Sequence, residues 1–230
     1  MSKLTPILLA IMLPVSALAA SGEVTFLEGT ATRAPVKGAK ASLKMQGTVE
    51  QGDLIQTGPK SRLELTLPDK SIVRLGPSSK LRLDAAAFSD EGREFKATLL
   101  LGKVWSKVTG VFGSERNFEV RTERAVAGVR GTIFRVDAAK SKAVLVKVYT
   151  GTVAVAGSSM PTSAPPKGER VQVAGPQAVS RQQWEKIVSA MMQVRVGANG
   201  VAEEPVRFTE QEEEKDLWAS WNRDRDQAAE

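Results

Sequence analysis

The sequence predicts a mainly β protein: a β-solenoid or β-roll-like stack of short strands with a small C-terminal helical appendage. Three observations predict it. Apolar and polar residues alternate with period two from Gly22 to Val155, the pattern of half-buried strands. Glycine precedes several of these runs, at Gly22, Gly52, Gly102, Gly131 and Gly151, which suits corners where the backbone turns left-handed. Helical spacing appears only after Ser180. The glycine spacing is irregular, so there is no strict repeat, and the pattern by itself fits a sandwich as well as a stack.

The elements follow in order. Residues 23–28 form a first run between Gly22 and Gly29. In residues 62–67, Leu63, Leu65 and Leu67 alternate with Arg62, Glu64 and Thr66, so the leucines face a core and the others face water. Pro68-Asp69-Lys70 makes a turn into residues 71–75. Further runs occupy 80–83, 96–101, 104–108, 118–121, 133–136, 144–149 and 152–155. Three prolines in residues 160–167 mark a loop, and residues 170–173 and 177–179 read as last strands. Ser180 reads as a helix N-cap with Gln183 at the capping-box position. Trp184, Ile187, Val188 and Met191 then fall on one apolar face, and residues 197–200 end that helix. A second helix begins at Thr209 with Glu212 in the box and an acidic first turn, as the helix dipole favours. Its anchors are Leu217, Trp218 and Trp221, and the charged last nine residues are expected to fray.

The first twenty residues read as an address. Lys3 precedes an apolar run over residues 6–18, and Ala17-Leu18-Ala19 supplies a small-x-small cleavage pattern. The run is too short for a span of ~20 residues. The expected organisation is a signal peptide at 1–20, a β domain at 21–159, a proline-rich loop with last strands at 160–179, and a helical segment with a charged tail at 180–230. The expected location is periplasmic or secreted, with no stable membrane insertion after cleavage.

The 230-residue chain has no Cys and no His. Disulfides, thiolate metal sites, Ser-His-Asp triads and imidazole proton shuttles are thereby excluded. No cofactor-binding and no metal-ligating residues are identified. Residues 21–160 carry 22 basic against 14 acidic side chains, and residues 161–230 carry 9 against 12. A basic body suits an anionic partner, although both signs are interspersed along the strands.

Candidate sites are few. Gly128 to Gly131 is a G-x-x-G element with Arg130 inside it; a strand follows it, so it reads as a tight corner rather than a phosphate loop. Arg116, Arg121, Arg124, Arg130 and Arg135 form a basic cluster. Aromatics that would stack bases are scarce, which argues against nucleic acid. Asp84, Asp90, Glu91 and Glu94 crowd one polar loop, but glycoside hydrolysis needs two acids in a cleft, and none is legible. Trp184, Trp218 and Trp221 read as anchors that dock two helices on the β body. No spacing assembles a catalytic residue set.

Four stretches resemble the FecR family, named for periplasmic regulators of iron-citrate signalling. Residues 52–58 (Gly-Asp-Leu-Ile-Gln-Thr-Gly) are similar to its "G-D-x-I-x-T-G" element. Residues 63–75 resemble its "L-x-L-x-D-G-S-x-V-x-L" strand pair, and residues 101–105 its "L-x-G-x-V" element. Residues 122–134, ending Val129-Arg130-Gly131-Thr132-Ile133-Phe134, resemble "T-P-x-A-x-A-G-V-R-G-T-x-F". The resemblance spans about residues 22–180 and implies a β-solenoid-like stack, with Asp69, Gly128, Arg130, Gly131 and Thr132 as its structural signature.

Two positions depart from the pattern. Lys70 stands where the family has Gly, so its turn is expected to avoid a left-handed conformation; Glu123 stands where Pro is common. Family regulators also carry a sigma-factor-binding segment, a transmembrane helix and a receptor-facing domain, none of which is read in this sequence. The resemblance therefore implies a stand-alone exported FecR domain: a non-enzymatic binding or scaffold module in envelope signalling or assembly, with a periplasmic or envelope protein as partner. Arg121, Arg124 and Arg135 are expected to orient an acidic partner, while Arg130 holds its corner. The alternative is an exported glycan-binding or glycan-cleaving protein.

Overall fold

The computed structural model of the protein describes residues 21–89, 92–109, 115–129, 131–157 and 185–228. The expected leader, the proline-rich loop, the strands at 170–173 and 177–179, Ser180, Trp184, Asp90, Glu91 and Arg130 lie outside the described residues.

Among the described residues, seventeen strands form one connected, open network. In chain order they are β1 (Gly22–Glu28), β2 (Ala31–Ala34), β3 (Ala41–Ser42), β4 (Thr48–Val49), β5 (Leu54–Thr57), β6 (Arg62–Thr66), β7 (Ile72–Leu75), β8 (Lys80–Phe88), β9 (Gly92–Lys107), β10 (Glu115–Arg121), β11 (Ala125–Val129), β12 (Ile133–Ala138), β13 (Val144–Thr150), β14 (Thr152–Gly157), β15 (Glu185–Ser189), β16 (Met192–Val196) and β17 (Val206–Arg207). Two helices follow, α1 (Glu210–Glu214) and α2 (Leu217–Ala228). The pairings divide into two sheets. Sheet I runs β4-β1-β6-β7-β9-β12-β13-β16-β17, and sheet II runs β3-β2-β5-β8-β9-β10-β11-β14-β15. Every pairing is antiparallel except β9 with β10.

The long strand β9 belongs to both sheets, and it changes sheet at Gly102. There φ is +94°, and a Cβ would lie 2.5 Å from Ser79 Cα. Only glycine fits a corner that is both left-handed and this crowded. The chain also passes from one sheet to the other between β1 and β2, β5 and β6, β7 and β8, and β13 and β14. Between the sheets lies one apolar cluster that includes Leu63, Leu65, Leu75, Leu81, Leu83, Leu99, Val146 and Val155, all fully buried. Each such side chain contributes roughly 1.5–3 kcal/mol on leaving water.

Over residues 185–196 the helix expected from Ser180 is not formed. Its described part is the hairpin β15–β16, with Met191 in a left-handed turn at φ 60°. Val188 pairs with Val153 and Val194 with Val146, and all four are buried. Ile187, Val188, Val194 and Val196 are β-branched, and β13 and β14 offer open edges, so cross-strand packing overrides the i, i+3, i+4 pattern.

The second expected helix is formed as two, α1 and α2, with a break at Lys215 and Asp216, and α1 opens with a full capping box. Thr209 N donates to Glu212 Oε2 at 2.8 Å, and Glu212 N donates to Thr209 Oγ1 at 3.3 Å. The tail does not fray as expected: α2 continues to Ala228, with Asn222 and Asp226 buried against sheet I.

The turn at Lys70 also differs from expectation, because φ there is 66°. Asp69 imposes it: its carboxylate accepts from Ser71 N at 3.0 Å and Ser71 Oγ at 2.9 Å, and it pairs with Arg93. Among the described residues, no helix is long and apolar enough to cross a membrane.

Candidate interaction surface

Strand alternation sends half of each sheet's side chains away from the core, which creates two outer faces. On sheet I the outward residues include Glu64, Arg74, Trp105, Arg135, Lys147 and Tyr149. Glu64 was expected in water, yet it is only 6% exposed, because α1 and α2 lie across this face. Arg74 Nε donates to Glu64 Oε2 at 2.6 Å, and Arg74 Nη1 donates to Asp226 Oδ1 at 2.7 Å. Trp105 Nε1 donates to Asp226 Oδ2 at 3.0 Å. Lys147 pairs with Glu213, which also accepts from Tyr149 Oη at 2.6 Å. Trp218 and Trp221 stack on one another at 5.3 Å, and Trp221 packs on Phe26. The expected docking of Trp218 and Trp221 thus occurs through a polar network with an aromatic centre.

The electrostatics follow from that geometry. Burial pushes the Glu64 carboxyl up, but Arg225 and Arg74 outweigh it and hold Glu64 below the usual carboxylate range. Asp216 behaves likewise, with Arg135 as the overriding cation. Tyr149 is pushed well above the usual phenol range by burial and by its bond to Glu213.

Arg135 belongs to this network, which corrects its expected place at a partner surface. Its side chain is 3% exposed and bridges Asp137 and Asp216, each at 2.6 Å. Burial disfavours its charge, and the two carboxylates more than restore it.

Among the described residues, no element packs over the outer face of sheet II. Arg121 lies on β10, 48% exposed, and pairs with Glu119 two residues away on its own strand. Arg82 pairs with Asp84 and Lys96 with Glu94 in the same i, i+2 manner. Arg124 sits in the β10–β11 turn, about a third exposed, at 3.6 Å from Glu123. Beside these charges, cross-strand neighbours Gly128, Ala154 and Ile187 form a smooth row. Ile187 is 58% exposed, and a Cβ on Gly128 would meet nothing within 4 Å. Gly131 takes φ 58° at the corner, and Thr132 is buried, its carbonyl accepting from Val108 N at 2.9 Å.

The loop acids do not assemble a hydrolytic pair among the described residues. Asp84 and Glu94 are each ion-paired, and Glu94 is the only acid among the described residues lining a hollow of about 440 Å³ beside Arg93 and Asn117. The buried network under the helices was not foreseen. The signal for it was the row of polar and aromatic residues on alternate positions of β7, β9, β12 and β13.

Comparison with known proteins bears on this geometry. Residues 53–154 match the FecR protein family. The FecR match runs from the start of β5 into β14, so the corner at Gly102 and the element from Gly128 to Thr132 lie inside it. The helices that cover sheet I lie beyond it. Two crystal structures of a candidate anti-sigma factor from Parabacteroides distasonis ATCC 8503 are similar, at 23% and 22% identity and a TM-score of 0.47. Each comparison covers 67% of this chain and 59% of the other. No curated protein matches.

Proposed function

We propose that this FecR domain is an exported, non-enzymatic binding module of the cell envelope, working in signalling or assembly by holding an acidic protein partner. The family match supports a regulatory role. The observation that carries the reading is the asymmetry of the two sheets: α1 and α2 cover sheet I, while sheet II presents Arg121, Arg82 and Lys96, each with its carboxylate partner on the same strand, beside the smooth row at Gly128, Ala154 and Ile187. We read the body as a roll-like stack whose corners hold this face flat. Charges near the rim add on-rate and orientation, and the small-residue row admits close approach. Arg124 joins the rim. We read residues 1–20 as a cleavable leader, which supports a periplasmic location, and no nucleic acid or cofactor is part of the reading.

The test is a photo-cross-linking residue at position 128, with position 227 on α2 as control, in the full chain expressed in its envelope. One acidic protein should be captured from position 128 at low salt, less at moderate salt, and not in Arg121→Glu. Equal capture from both positions, or capture unaffected by Arg121→Glu, overturns the proposal.

A further inference from the structure

On the outer face of sheet II every strand cation described so far is neutralised on its own strand: Arg82 by Asp84, Lys96 by Glu94, Arg121 by Glu119. Two cations escape this rule, and they lie together. Among the described residues the Lys80 ammonium has no ion pair or side-chain hydrogen bond, and Lys40 Nζ donates only to the neutral Gln56 Oε1, at 3.0 Å. Both line an open groove of about 410 Å³ with Thr30, Thr32, Gln56 and Ser78, and no carboxylate is present in its described lining. Thr32, Gln56 and Lys80 are direct cross-strand neighbours, so they form one row across β2, β5 and β8.

The walls are set in advance. Thr57 Oγ1 donates to Gly76 O at 2.6 Å and accepts from Ser79 N at 2.9 Å, which ties two corners together. Ser78 N donates to Gly58 O at 3.0 Å. A Cβ at Gly58 would lie 2.4 Å from Thr30 Oγ1, so glycine leaves that hydroxyl its place at the lip. Groups held like this lose little entropy on binding.

We propose that this groove is a binding site for an acidic saccharide: a uronate-type sugar whose carboxylate lies between Lys40 and Lys80. The hydroxyls of Thr30, Thr32 and Ser78 and the amide of Gln56 both donate and accept, as sugar hydroxyls do. Leu101 supplies an apolar wall for the C–H face of a ring. The two ammonium groups lack the planar fork that favours bidentate phosphate, and the described lining offers no aromatic ring on which a base would stack. The site is separate from the proposed protein-binding row and stands if that proposal fails.

The test is calorimetric titration of the mature full chain at physiological ionic strength with trigalacturonate, with maltotriose and hexaglutamate as comparisons. Trigalacturonate is expected to bind saturably; maltotriose, which lacks the carboxylate, and hexaglutamate, which lacks the ring hydroxyls that Thr30, Thr32, Gln56 and Ser78 would meet, are each expected to bind at least about tenfold more weakly. Lys80→Ala and Lys40→Ala should each weaken trigalacturonate about tenfold while the melting temperature stays put, and Lys96→Ala should change nothing. Absence of trigalacturonate binding, equal binding of hexaglutamate, or full affinity in Lys80→Ala with Lys40→Ala would each overturn the site.

Discussion

The two outer faces of this molecule start from the same strand alternation and meet opposite fates. On sheet II, charges pair with neighbours two residues along the same strand, and the face stays in water. On sheet I, Arg74, Trp105, Arg135, Lys147 and Tyr149 pair with Glu213, Asp216 and Asp226, which lie far along the chain. The difference teaches where stability resides. A locally paired, exposed ion pair contributes little, because water solvates both partners well. A buried network contributes little when whole, but removing one member strands the rest away from water.

The sharpest way to break the comparison is Arg74→Ala. It would leave Glu64 and Asp226 without the guanidinium that joins them, with a cost of about 3–5 kcal/mol. Denaturant unfolding should show that loss, and limited proteolysis should cut near 206–228 in the native state. A loss below about 1 kcal/mol would mean that the helices are held by their tryptophans alone.

Acidification acts on the same network. Glu64 and Asp216 titrate below their ordinary values of 4.5 and 3.8 in the folded state. A group with a depressed folded pKa stabilises the fold above its ordinary value, and that stability is lost as pH falls through the folded pKa. Fluorescence of Trp105, Trp218 and Trp221 should therefore be flat above about pH 5 and shift as pH drops below about 4. A shift centred near neutrality would place the sensitive groups elsewhere.

A smaller effect is expected at the hairpin of β6 and β7. Lys70 holds φ 66°, which costs a side chain about 1 kcal/mol and costs glycine almost nothing. Lys70→Gly should raise the melting temperature by about 2–4 °C. A fall instead would show that the lysine stem packs usefully on its turn.

The smallest effect sharpens the contrast from the other side. Arg121→Ala removes an exposed ion pair on sheet II and should change stability by less than about 0.5 kcal/mol. A change approaching that of Arg74→Ala would erase the distinction between the faces.

Much of the body was legible before any coordinates. Leu63, Leu65 and Leu67 alternate and are buried as read. Gly102, Gly131 and Gly151 sit at positive φ, as glycine ahead of a strand suggests. The capping box at Thr209 and Glu212 was read from residue type and spacing, since it closes within one turn of chain. The hairpin of β15 and β16 was misread, because in a short apolar run the spacing of residues 184–191 satisfies a helix as well as two strands. What settled it was the open edges of β13 and β14, whose paired residues lie from about thirty to about fifty positions earlier in the chain. Arg135 was misplaced for a related reason. Its alternation puts it on an outer face correctly, but nothing nearby in sequence says that Asp216 will cover that face.

The sequence by itself determined which residues turn inward and where the chain must bend. Those are questions of period and of backbone sterics, and both act over a few residues. The tertiary structure alone decided which outward residues remain outside. Arg74 and Arg121 are both arginines on outward strand positions, yet one is 1% exposed and the other 48%. The reason is that covering a face depends on the path of α1 and α2, which brings Asp226 to Arg74 across 152 residues. A contact between residues so far apart in sequence is set by the folded path of the chain between them, and it leaves no local period to read.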